Sequence, residues 1–230
     1  MKPDNNSWRK PRRIRIYEEI EQKYYIFCEG KQTEPLYFKG IKEAIESNPI
    51  YKNIILIEIQ GLGKETKRVI YHAEKYVQEN NIEHAQIWCV YDKDSFPPED
   101  FNGVAQIANN LNVTQNKVKY CVAWSNQCVE YWFILHFDYY VSDNDRKFYR
   151  EYLHKKFKDI GWGKYEKNNE ELFKILLEKG DPKLAIRYAK KRLDEFKGCT
   201  ETNSSPATKV YMLVEELAKY LPEEIKYKFL

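Results

Sequence analysis

Short apolar runs alternate with amphipathic stretches through the first half of the chain. Tyr24-Tyr25-Ile26-Phe27-Cys28 is continuously apolar, the pattern of a strand buried on both faces of a parallel sheet, and it stops at Glu29-Gly30. Thr33 then has the chemistry of an N-cap, and Pro35 suits a first helical turn. Leu36, Phe38, Ile41 and Ile45 recur at helical spacing toward Ser47. The unit repeats, with a strand predicted over 54–57 and a helix over 65–80 that turns Val69, Ala73, Tyr76 and Val77 inward. A third strand over 87–91 is broken by Asp92 and the Pro97-Pro98 turn; a helix over 101–111 and a fourth strand over 120–123 follow. Strands alternating with helices at this spacing predict an α/β fold, a mostly parallel sheet with helices on its faces.

Beyond Trp124 the pattern changes. Residues 128–137 predict an unusually apolar, aromatic helix, and polar amphipathic helices are expected over 146–157, 170–178, 182–196 and 207–221. A Gly161-Trp162-Gly163 loop and a polar loop around 203–206 interrupt them. The expected organisation is a basic tail over 1–22, an α/β core over 23–140 and a helical extension over 141–230 packed on that core.

With 43% hydrophobic and 15% aromatic residues the chain can bury a core, and 32% charged residues give it a polar surface. Wholesale disorder is excluded. A net charge of +3, from 38 Lys and Arg against 35 Asp and Glu, does not by itself identify a polyanion partner. Locally the tail does segregate charge: Lys2, Arg9, Lys10, Arg12, Arg13 and Arg15 face only Asp4. A solvated tail is favoured there over nucleic-acid contact. Five cysteines is an odd number, and Cys28, Cys89 and Cys121 fall in apolar strand-like runs, which favours a reducing cytoplasm. There is no C-x-x-C pair and no zinc-site spacing. No apolar signal core or membrane-length run is present, so neither export nor a membrane partner is expected.

In an open parallel sheet ligands bind at the carboxyl ends of the strands. The first strand delivers Glu29 there, with Glu34 at the following helix start; the third delivers Asp92 and Asp94, whose alternation in an extended stretch would direct both carboxylates to one side. Oxygen ligands grouped this way suit Mg²⁺ or Mn²⁺. After the fourth strand comes Ser125-Asn126, and Glu130 opens the aromatic helix, where a carboxylate needs a partner or a metal to offset desolvation. Each acid alone has a plainer use as a helix-dipole partner or turn stabiliser; the combination is harder to explain that way. Lys31, Lys93, Lys164 and Lys167 are candidates to contact a phosphate, against a default of solvated loop lysines. Trp162 and Tyr165 offer base stacking, with aromatic packing the favoured use, and His136 reads as a hydrogen-bonded core histidine. Gly61-Leu62-Gly63-Lys64 fits no nucleotide-binding loop and is assigned to a turn.

An ordered set of segments is more specific. Cys28-Glu29-Gly30-Lys31-Gln32-Thr33-Glu34-Pro35 with Tyr37-Phe38, then Val90-Tyr91-Asp92-Lys93-Asp94-Ser95-Phe96, then Ser125-Asn126 with Glu130, Trp132 and Leu135-His136-Phe137, resembles the RloB-like family. Tyr165, Lys167, Pro206, Thr208 and Val210 are similar to its later motifs, so the resemblance covers most of the chain from Lys23 onward. It implies a Toprim-like fold related to the nuclease domains of overcoming-lysogenization-defect proteins. Glu29, Asp92 and Asp94 then map to the metal site, and Glu34 and Glu130 to additional acids. Among the lysines, Lys167 is favoured as catalytic by this motif match, and Lys93 by its place between two acids. The implied activity is metal-dependent cleavage of DNA or RNA in prokaryotic defence, sometimes beside an ATPase partner. Two rivals remain: a non-catalytic Toprim-shaped binding or assembly subunit, and a metal-dependent nucleotidyl or glycosyl transferase using the D-x-D.

Overall fold

The computed structural model describes residues 20–63 and 66–230. Both faces of the first strand, β1 (Gln22–Cys28), are covered: Tyr24, Ile26 and Cys28 join one apolar cluster, and Tyr25 and Phe27 the other. That two-sided burial is what a continuous apolar run requires. The chain continues through α1 (Thr33–Glu46), β2 (Ile55–Gly61), α2 (Thr66–Glu79), β3 (Ala85–Asp92), α3 (Pro98–Thr114) and β4 (Val118–Asn126). Then come α4 (Glu130–Ile134), α5 (Arg146–Asp159), α6 (Leu172–Lys179), α7 (Pro182–Glu195), β5 (Ala207–Thr208), α8 (Val210–Ala218) and α9 (Glu223–Lys226).

The sheet order is β2-β1-β3-β4-β5, parallel except for the final β4–β5 pair. This is the mostly parallel α/β sheet expected of a Toprim-like fold. From β1 the chain steps one way to β2, then crosses back to β3 and onward to β4. The reversal places a switch point between β1 and β3, where an open α/β sheet has its ligand crevice. Helices α2 and α3 bury Val69, Ile70, Ala73, Phe101 and Val104 on one face of the sheet. On the other, α1 and the helices after β4 form a larger core around Tyr37, Trp132, Phe133, Tyr149 and Leu213.

The elements differ from the sequence expectation where tertiary contacts override local pattern. All four parallel strands are longer than their apolar runs, because polar strand ends still pair with neighbours. The aromatic helix expected over 128–137 is five residues long: Tyr131 N–H donates to Cys128, His136 to Phe133 and Phe137 to Ile134, three-residue bonds that tighten both ends into turns. Thr33 is not an N-cap but the first residue of α1, and Gln32 before it makes no side-chain cap. A helix expected from 207 begins at Val210, because Ala207 and Thr208 pair with Asn126 and Ser125 instead. Thr208 Oγ1 reaches Ser125 Oγ at 3.0 Å and the Trp124 carbonyl at 3.1 Å. The stretch read as a helical extension thus supplies the fifth strand. Most of the basic tail lies outside the described residues. No helix among the described residues is long and apolar enough to cross a membrane.

Candidate active site

Glu29 is the residue immediately after β1, at the switch point. Its N–H donates to the Val90 carbonyl of β3 at 2.9 Å, and its carbonyl accepts from Gly63 N–H at 2.7 Å beyond β2. The strand end is therefore tied to both neighbouring strands. Asp92, the last residue of β3, donates its N–H to Glu29 Oε2 at 3.2 Å, which ties the Glu29 carboxylate to the end of β3.

Asp94 arrives by a different route from the one expected. It follows the end of β3 with φ +38°, in the left-handed region that Asp tolerates better than most residues, and its N–H donates to the Gln127 carbonyl at 2.9 Å. A turn held by the end of β4, not strand alternation, aims its side chain. Glu34 comes from the first turn of α1, buried against Gly30. A Cβ on residue 30 would fall inside contact distance of both Glu34 carboxyl oxygens, so glycine is what lets that carboxylate fold back over the strand end.

Glu29, Glu34, Asp92 and Asp94 line one cavity of about 300 Å³, together with Lys31, Gly63 and Lys167. Gly63 belongs to the turn that looked purely structural in the sequence; its position after β2 was the available signal. Lys64 lies outside the described residues. A larger groove of about 660 Å³ runs along α7 and contains none of these strand-end acids.

Glu130 lies outside that lining and is fully buried. Arg150 Nε donates to its Oε1 at 3.0 Å and Lys167 Nζ is 3.6 Å away, so the partner its position demands is a pair of cations. Arg146 Nη1 similarly meets Asp94 Oδ2 at 2.8 Å. Neither arginine stood out in the sequence, although a carboxylate in an aromatic helix called for some cation. Lys93 does not enter the cavity; its Nζ donates to the Phe96 carbonyl in its own loop. Tyr165 is buried against Phe157, the packing use, and His136 Nδ1 bonds the Trp132 carbonyl at 3.0 Å in the core.

Burial is the main force raising the Asp92 carboxyl well above its usual range, reinforced by repulsion from Glu34, Glu130, Glu29 and Asp94. Glu34 is likewise raised by burial and by Glu130. Glu130 goes the other way: burial pushes it up, but Lys167, Cys128 and Arg150 outweigh that and hold it low. The site is a cluster of negative charge incompletely balanced from within.

Asp92 Oδ1, Asp94 Oδ1 and Glu130 Oε2 are buried and accept no hydrogen bond, acceptors that a cation or its water shell would satisfy. No three of the His, Cys, Asp and Glu side chains among the described residues stand close enough to form a direct metal cage. Mg²⁺ needs no such cage, since it keeps several waters and uses one or two carboxylates. The all-oxygen donor set fits a hard divalent ion held partly through water.

A family model described as RloB-like protein matches residues 24–217. No curated protein and no solved structure matches the chain.

Proposed function

The chain belongs to the RloB-like family, and from that premise we propose that it is a metal-dependent nuclease that hydrolyses phosphodiester bonds of DNA or RNA. The observation that carries this reading is that Glu29, Glu34, Asp92 and Asp94 line one cavity at the switch point of the sheet, with Lys31 and Lys167 in the same lining. Glu29, Asp92 and Asp94, with Glu34 nearby, would hold Mg²⁺ or Mn²⁺. Bound there, the ion would supply an activated water and neutralise charge at the leaving oxygen. Lys31 and Lys167 bind the phosphate and offset its charge. Glu130, fixed by Arg150, positions Lys167 toward the cavity. The family points further to a cytoplasmic role in prokaryotic defence against phage or foreign nucleic acid, in some settings beside an ATPase.

One observation favours the non-catalytic reading: Asp94 and Glu130 already have cationic partners. Incubating the protein with labelled DNA, total RNA and tRNA, in Mg²⁺, Mn²⁺ or chelator and with or without the partner ATPase, separates the readings. A nuclease shortens substrate only with metal. A binding subunit retains ligand and cuts nothing, and a transferase consumes a nucleotide or sugar-nucleotide donor without shortening the nucleic acid.

A further inference from the structure

Helix α5 carries Arg146, Arg150, His154 and Lys158 at four-residue spacing. Each is the surface neighbour of the next, and the file winds about 120° around the helix while extending over about 18 Å at 1.5 Å per residue. One end of this file reaches the acids, through Arg146 on Asp94 and Arg150 on Glu130. At the other end His154 and Lys158, with Lys155, Gly163 and Lys164, line a shallow basin of about 550 Å³.

The charged side chains lining the basin are all basic. Asp159 and Glu166 are the nearest acids in sequence, and both lie outside the lining. Elsewhere on α5 lysines are paired, Lys147 with Glu151 and Lys156 with Asp138. Lys155, Lys158 and Lys164 are exposed and, among the described residues, make no ion pair. Three lysines without an ion pair around one depression form a local field for anions that the net charge of the chain conceals, although Asp159 shares an adjoining cleft with Lys155. Lys164 is three residues from Lys167, which lines the carboxylate cavity, so the segment between them links the two sites. Tyr165 pins that segment to α5 through Phe157 and His154, with ring centroids at 5.5 and 6.0 Å.

We propose that this face of α5, with residues 164–167, guides a single strand of nucleic acid from the carboxylate cavity into the basin. The identity of the polyanion rests on the nuclease reading; the track itself rests on charge and geometry. A single strand fits because the cations form one file. A duplex presents two phosphate files separated by a groove, about 12 Å wide for the major groove. Lysine stems, Gly163 and the His154 ring give the basin an apolar floor on which a base can lie, with ammonium groups at its rim for phosphate.

Fluorescence anisotropy with a labelled single-stranded oligonucleotide in chelator tests the track without cleavage. The variant Lys155→Gln/Lys158→Gln/Lys164→Gln should bind at least tenfold more weakly at low salt. Its salt slope should fall by about 2, from three phosphate contacts at about 0.7 each. A control, Lys190→Gln/Lys191→Gln on α7, should stay within twofold of wild type, and a duplex should compete at least tenfold less well than the single strand. Wild type that binds no oligonucleotide, a triple variant within twofold of wild type, or a duplex that competes equally overturns the proposal. Cleavage is scored separately. Lysine-dependent binding with no cutting under Mg²⁺ or Mn²⁺, with or without a candidate ATPase, sinks the nuclease reading and leaves the track standing; metal-dependent cutting with unchanged KM in the triple variant does the reverse.

Discussion

Asp92 is a carboxyl held where negative charge is least welcome, by burial and four acidic neighbours. Without metal, Asp92→Asn should therefore stabilise the protein at neutral pH by roughly 1 kcal/mol, about 2–4 °C in Tm for a chain of this size. Calorimetry should show Mg²⁺ or Mn²⁺ binding that the same change weakens at least tenfold. A lower metal-free Tm with unaltered metal affinity would remove Asp92 from the site. Gly30→Ala tests the cradle: the methyl should push the Glu34 carboxylate aside and weaken metal binding while the fold persists, read by calorimetry and circular dichroism. The shared place of Glu29, Asp92 and Asp94 at one sheet edge was legible in the sequence, because an acid after an apolar strand has a determined place in an open sheet, and Glu34 follows from the helix that starts there. The aim of Asp94 was not, since it depends on a contact with Gln127, just past the end of β4. Arg146 and Arg150 were invisible as site residues for the same reason: their partners lie 52 and 20 positions away.

Among the elements, α4 and α5 are coupled through one buried charge. Arg150→Met leaves Glu130 buried with Lys167 as its remaining cation, and should cost about 3 kcal/mol in urea unfolding. Adding Glu130→Gln should restore much of that, a coupling that a double-mutant cycle measures. Simple additivity of the two changes would show that the pair does not act as a unit. The alternating strands and helices through β4 were readable because each apolar run belongs to an element buried by its own neighbours. The later elements were less so. Helix α4 shrinks to five residues because its flanks close as turns, and β5 exists only because Thr208 finds Ser125 and Trp124. Neither event has a local sequence signature.

Across the whole molecule, the strand order reverses where the acids gather, and the raised carboxyls there would link metal to protons. In the metal-free protein Asp92 and Glu34 lie above their ordinary ranges, so the native state holds protons that the unfolded chain has released. Their effect on stability is accordingly best at or below the ordinary carboxylate range and worsens as pH rises through the raised values. A divalent ion must displace those protons, so metal affinity should increase with pH, and calorimetry in buffers of different ionisation enthalpy should register proton release. Affinity independent of pH would contradict a metal seat at these acids. If Glu29 and its neighbours give the chain the proposed nuclease activity, Glu29→Gln should abolish it. In single-turnover assays with labelled DNA, RNA and tRNA under Mg²⁺ or Mn²⁺, with and without a candidate ATPase, wild type should shorten one of these substrates. The variant should lose at least 100-fold in rate while keeping its fold and most of its nucleic-acid binding. Equal cleavage by wild type and variant, or none by wild type on any substrate, would contradict it.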